Sequence, residues 1–172
     1  MMEIFLSGQI ALKPTLELIK DNEERLSGRF SSRFLDSVIK TTKERLKSLP
    51  DRDAIEDTLR VSEFISPLIY PVRGSILEGL WELGEEADTG FEINFLDIPI
   101  LQETIEICEE LDINPYELDS SGIYLIALSS GNASLAPDCP KTPYGLVYIG
   151  HTHSQRARIL RLRNTVRYLD RC

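Results

Sequence analysis

Apolar positions recur along this chain in two periods, which divide it into a helical first part and a mixed second part. Glu3-Ile4-Phe5-Leu6 is a short apolar run that predicts a strand, closed by Ser7-Gly8. After Pro14, the residues Leu16, Ile19 and Leu26 form one stripe at the helical period among intervening charges. Ser31-Ser32 offers an N-cap for a second helix with Phe34, Leu35, Val38, Ile39 and Leu46 on one side, and Pro50 ends it. A third helix is expected from Asp53 to Ile65 with Ile55, Leu59 and Phe64 buried. Pro67 and Pro71 both forbid a helix interior, so 67–72 should be extended. Gly74-Ser75 then opens a helix that turns Ile76, Leu77, Leu80, Trp81 and Leu83 inward and Glu78, Glu82, Glu85 and Glu86 outward, with Trp81 in the core. A strand from Gly90 to Phe95 follows, then a helix from Leu101 to Leu111 with Ile105, Cys108 and Leu111 on one face.

Ile123 to Leu128 is nearly continuous in apolar residues, as a strand buried on both sides is. Ser129 to Pro143 has the composition of a loop. Three more strands are expected at Leu146 to Ile149, Arg158 to Leu162 and Val166 to Leu169, the last two joined by a turn at Arg163-Asn164-Thr165. The sum is one α+β domain, a mixed, mainly antiparallel sheet with packed helices. Its helical lead-in is 11–65 and its α/β core 67–172.

At 172 residues the chain can bury about two-thirds of its unfolded surface without staples. No apolar run approaches the roughly 18 residues of a membrane-spanning helix, and Met1-Met2-Glu3 lacks the features of a secretory signal, so no membrane association and a cytoplasmic location are expected. Cys108, Cys139 and Cys172 are an odd number without metal-type spacing, which reads as reduced thiols, Cys108 in the core. The net charge of −9 is unevenly spread: Gly74 to Pro140 holds 15 acidic residues and no Lys or Arg, whereas Gly150 to Cys172 holds six Arg and one acid. That distribution argues against nucleic acid, which needs a broad basic footprint. The arginines read as a surface complement to the acidic body or as a small anion patch. His151-Thr152-His153 puts two imidazoles on one side of an extended segment, but two ligands are too few for zinc, and a solvated hairpin is expected.

Gly79-Leu80-Trp81-Glu82, Gly90-Phe91-Glu92-Ile93, Ile98-Pro99-Ile100, Asp112-Ile113-Asn114-Pro115-Tyr116 and Ser120-Ser121-Gly122 follow one another in an order with a known counterpart. The run resembles the C-terminal domain of the aminoimidazole ribonucleotide (AIR) synthase-related, PurM-like superfamily, and within it the HypE-like hydrogenase-maturation branch. Selenophosphate synthetase and thiamine monophosphate kinase are other members. The resemblance implies a PurM C-terminal-type fold with a partial ferredoxin-like topology. It also implies a two-domain unit in which an N-terminal domain supplies most ATP and magnesium ligands and the C-terminal domain closes over the phosphates.

This sequence corresponds to the second of those domains, so no cofactor is expected of it alone, and ATP with magnesium only if a separate N-terminal domain completes it. Before the Leu-Trp-Glu helix the family places carboxylates in a loop; here the loop reads Tyr70-Pro71-Val72-Arg73-Gly74-Ser75, so no catalytic residue is expected. Arg73, Gly74 and Ser75 at a helix N-terminus could hold an anion, or Arg73 is simply exposed. Ser120, Ser121 and Gly122 match the family's second cleft loop and would face a ligand, or form a plain turn before a buried strand. Cys172 lacks the Pro-Arg-Ile-Cys tail of the carbamoyl dehydratases. The expected function is a stand-alone, non-catalytic AIR synthase-related domain that binds a protein partner or a phosphorylated small molecule. The alternative is the C-terminal half of a split ATP-dependent enzyme. The expected partners are a second copy or a separately encoded N-terminal-type domain.

Overall fold

A seven-stranded sheet organises the chain, and the first strand in sequence lies inside it, paired on both sides. The computed structural model describes residues 1–61, 67–129 and 146–170. The strands are β1 (Met2–Leu6), β2 (Leu68–Pro71), β3 (Gly90–Asn94), β4 (Tyr124–Ser129), β5 (Val147–His153), β6 (Arg158–Leu162) and β7 (Thr165–Tyr168). They lie in the order β2-β4-β1-β5-β3-β6-β7. Every pairing is antiparallel except β3 with β6. The helices are α1 (Leu12–Asp21), α2 (Glu23–Arg29), α3 (Ser32–Lys47), α4 (Arg52–Val61), α5 (Ile76–Glu86) and α6 (Gln102–Leu111). The expected mixed, mainly antiparallel sheet with packed helices is therefore what the chain adopts. β1 lies between β4 and β5, so the chain enters the interior of the sheet before its first four helices.

Three apolar clusters hold the layers. On one face Ile4, Leu6, Phe91, Ile93, Leu125 and Leu160 of the sheet meet Ile76, Leu80 and Leu83 of α5. On the other, Ile55 and Leu59 of α4 cover Phe5, Ile69, Ile126 and Leu128. A third cluster, Ile19, Leu26, Leu35, Val38 and Ile107, joins α1, α2, α3 and α6. Local chemistry sets the ends of the elements. Ser31 Oγ accepts from the Phe34 amide at 3.2 Å and starts α3 as its sequence predicts. Asp112, at φ 57°, ends α6 in the left-handed region, and the Ile113 amide returns to Cys108 O at 2.9 Å. Asn114 Oδ1 then accepts from the Tyr116 amide at 3.2 Å, and Tyr116 packs on Phe95 with ring centroids 4.1 Å apart.

Several expectations change. The single stripe through Leu16, Ile19 and Leu26 is two helices, broken at Asn22, whose side-chain amide donates to Leu18 O at 2.9 Å. On α6, Thr104, Ile107 and Cys108 face inward and Ile105 and Leu111 are only half-buried, because the buried pair Thr104 and Thr15 shares a hydroxyl hydrogen bond of 2.9 Å that fixes the helix's rotation. His151 and His153 stand on β5, flanked by β1 and β3, and belong to no solvated hairpin: Glu3 and Glu92 pair with His151 from the two sides. Phe64, most of the expected 129–143 loop, Cys139 and Cys172 lie outside the described residues.

Cys108 is 1% exposed, and burial pushes its thiol up to about 11. The folded state therefore keeps a proton that the unfolded chain releases nearer pH 9, and stability should fall as pH rises from about 9 to 11. Chemical denaturation across that window should show a decline that Cys108→Ala makes shallower, the raised phenols of Tyr70, Tyr116 and Tyr148 supplying the rest; an identical decline in the variant would remove Cys108 from the account.

Candidate functional site

The two loops singled out in the sequence meet at the N-terminus of α5. Ser75 and Glu78 form a reciprocal capping box there: Ser75 Oγ accepts from the Glu78 amide at 3.2 Å, and Glu78 Oε2 accepts from the Ser75 amide at 2.7 Å. Gly74 lies at φ +85°, and a Cβ on it would stand 2.4 Å from Glu78 Oε2, so glycine leaves room for that carboxylate. The second loop is stitched to the first. The Ser120 amide donates to Gly74 O at 2.7 Å, and the Gly74 amide donates to Ser121 Oγ at 3.2 Å. Ser120, 4% exposed, also accepts from the Ala11 amide at 3.1 Å and so anchors the start of α1. Arg73 and Gly122 face solvent, Gly122 at φ +101° with open space around it. Ser75, Ser120 and Ser121 thus have their hydroxyls engaged within the fold.

Arg73 borders a cleft of about 550 Å³ that runs along the outer side of α5, lined also by Tyr70, Glu78, Trp81, Glu82, Glu85 and Glu86. Its four lining carboxylates outnumber the guanidiniums of Arg73 and of Arg158, which lies at its Trp81 side, so its field is net negative. Tyr70 on β2 donates its hydroxyl to Glu82 at 2.9 Å, and burial followed by that bond raises the phenol above its ordinary range. Trp81 is not the core residue the sequence suggests. It is half-buried, and the Arg158 guanidinium lies over its ring at 3.6 Å while also pairing with Glu85. The outward row of Glu78, Glu82, Glu85 and Glu86 is legible in the sequence; the cleft it lines is not, because Tyr70 closes it from β2 and Arg158, far along the chain, covers the Trp81 ring. Among the described residues no group of three His, Cys, Asp or Glu is placed to hold a metal. No helix among them is long and apolar enough to cross a membrane.

No family model matches the sequence, and no curated protein does. Solved structures do match. A chain of a HypE–HypF complex superposes with a TM-score of 0.64 at 15% identity, over 99% of this chain and 53% of that one. The fold is that of half a HypE. The E. coli hydrogenase maturation protein HypE gives a TM-score of 0.63 at 16% identity, over 98% of this chain and 49% of its own. Thiamine monophosphate kinase from Aquifex aeolicus gives 0.55 at 15%, over 95% and 50%. The chain therefore spans about half the length of these proteins, and at such identities the likeness is one of fold. The PurM-like, HypE-like architecture expected from the sequence motifs is the one found.

Trp81 is the single tryptophan, so its fluorescence reports the cleft. A negative field concentrates cations. Measured relative to free N-acetyltryptophanamide at matched ionic strength, caesium quenching of Trp81 should be reduced less than iodide quenching, and the reverse order would contradict an acidic cleft.

Proposed function

We propose that this chain is a protein-binding domain with the HypE-like fold that holds no nucleotide or phosphorylated metabolite by itself. The observation that carries the reading is the occupied N-terminus of α5. Free amides at a helix start favour phosphate, but here the Glu78 carboxylate already takes the Ser75 amide. Glu82, Glu85 and Glu86 stand in the same cleft, so an approaching phosphate meets four glutamates against Arg73, the guanidinium of Arg158 being paired already with Glu85. Charges of like sign in a partly desolvated cleft repel by several kcal/mol at an effective dielectric of about 20, more than one exposed Arg73 offsets. Tyr70 and Arg73 stand where the resemblance places carboxylates, which supports a role without chemistry of its own. Of the two ligand classes left open by the sequence, the protein partner is the one this surface suits, with Arg73 and Gly122 at its border. The place of action we infer is the cytoplasm. A thermal-shift screen with nucleotides and phosphosugars should find none that raises Tm; a phosphosugar that stabilises the wild type but not Arg73→Ala would overturn the reading.

One observation favours a second reading. The match covers 98–99% of this chain and only 49–53% of the HypE chains, one of them solved in complex with ATP, and thiamine monophosphate kinase has been solved with AMPPCP and TMP. A chain of that extent would serve as one half of a split ATP-dependent enzyme if a separately encoded domain supplied the other. Co-purification with such a domain, and ATP hydrolysis by the pair but by neither part, would establish it.

A further inference from the structure

The β6–β7 hairpin is the least partnered part of the described chain. All four residues of β7 are exposed, with Val166 at 43% and Tyr168 at 66%. Among the described residues β7 pairs with β6 alone, and none of them takes up its outer backbone groups. The opposite edge of the sheet, β2, is blunted by Pro71 within it and Pro67 before it; β7 has no proline. The arginines of this end divide into two sets. Arg156, Arg158 and Arg161 are answered within the chain by Asp88, Glu85 and Glu92. Arg163, at the turn with φ 51°, and Arg167 form no ion pair among the described residues.

Those two arginines cannot pair with their own kind, because a β7-to-β7 contact would bring like charges together. They need an acidic surface. The α5 cleft is one, and its exposed Glu86 forms no ion pair among the described residues. The two surfaces also adjoin. Arg167 stands opposite Leu160 on β7, and Leu160 packs in the cluster that contains Leu80 of α5, so Arg167 is on the α5 side of the sheet. Arg158, at the root of the hairpin, lies on Trp81 in the cleft. Two complementary patches side by side on one molecule can satisfy each other twice across a single two-fold axis.

We propose that the chain forms a two-fold dimer in which the Arg163 and Arg167 end of the β6–β7 hairpin of each copy seats against the Glu82 and Glu86 side of the α5 cleft of the other. This rests on the protein-binding reading of the α5 cleft and names a second copy as its occupant; a monomeric chain would sink the dimer and leave the exclusion of nucleotides, tested separately by thermal shift, untouched. The test is sedimentation equilibrium of the wild type and of two charge-reversed variants, Arg163→Glu/Arg167→Glu and Glu82→Lys/Glu86→Lys. The wild type should dimerise at tens of micromolar, and raising salt from ~0.05 M to ~0.5 M should weaken it roughly tenfold or more. Each variant alone should be a monomer, and their equimolar mixture should regain the dimer. A wild-type monomer, a dimer unchanged in either variant, or a mixture that stays monomeric would each overturn the proposal. Glu82 also receives the Tyr70 hydroxyl, so Glu86→Lys and Arg167→Glu alone, at exposed sites with no ion pair among the described residues, repeat the test if a double variant fails to fold.

Discussion

Gly150→Ala should destabilise the protein by at least the top of the ~1–3 kcal/mol range for overpacking, and it should do so through the β3–β5 pairing. Gly150 sits where β5 is flanked by both β1 and β3, opposite Ile4 and Ile93. A Cβ there would lie 2.1 Å from Glu92 O and 2.8 Å from the Ile93 Cα. Both are backbone atoms of the neighbouring strand, so no rotamer change can relieve the contact. The register irregularity between Ile4 and Phe5 lies beside the same point, and displacing β5 would disturb both of its ladders. Gly122→Ala is the control. It is strained by its φ of +101° but meets open space, so it should cost only about 1 kcal/mol. Urea denaturation of the two variants should separate them clearly; equal midpoints would mean that the strands can move apart at little cost.

Leu80→Ala should cost about 3–5 kcal/mol, and Trp81→Ala, one residue further along α5, only about 1–2 kcal/mol. Leu80 is wholly buried between α5 and the sheet, and its loss leaves a cavity among Val72, Leu83, Leu125 and Phe91 that close packing prevents from collapsing. Trp81 faces the cleft and gives up its stacking on Arg158 and its half-buried surface. The order of the two effects is what matters: a larger loss for Trp81→Ala would return that ring to the core. Guanidinium unfolding followed by circular dichroism measures both without relying on the tryptophan signal.

The contrast between these neighbours shows where the sequence stops being legible. Leu80 and Trp81 fall in the same apolar stripe, and the helical period assigns both inward. What draws Trp81 outward is Arg158, far along the chain, and no local pattern carries that contact. The fold was legible for a different reason. The motifs that carry the family resemblance are largely residues with backbone duties: Gly79, where a Cβ would press on Val72 at 3.2 Å; Gly90, where it would stand 2.1 Å from Gln155 O; Asp112, which ends α6; and Asn114, which caps the next turn. Such residues specify a shape. They do not specify chemistry, so the same motifs that led to the HypE-like fold left the role of Ser75, Ser120 and Ser121 open between ligand contact and scaffold. The two candidate loops meet in the fold, their bonding is internal, and the acidic cleft beside them depends on neighbours that the local sequence pattern does not carry. His151 and His153 were read as a polar hairpin for the same reason, because a strand's place inside a sheet is set by its distant partners.

Titration of Mg-ATP into the isolated chain by isothermal calorimetry tests the central claim most directly, with Arg73→Ala alongside. A fold that carries half of a HypE-like architecture, with Glu78 at the α5 N-terminus and three more glutamates around Arg73, predicts no saturable heat up to millimolar nucleotide, and no difference between the two proteins. Micromolar affinity in the wild type that Arg73→Ala abolishes would contradict the account, because it would place a working phosphate site in a cleft assigned here to a protein partner.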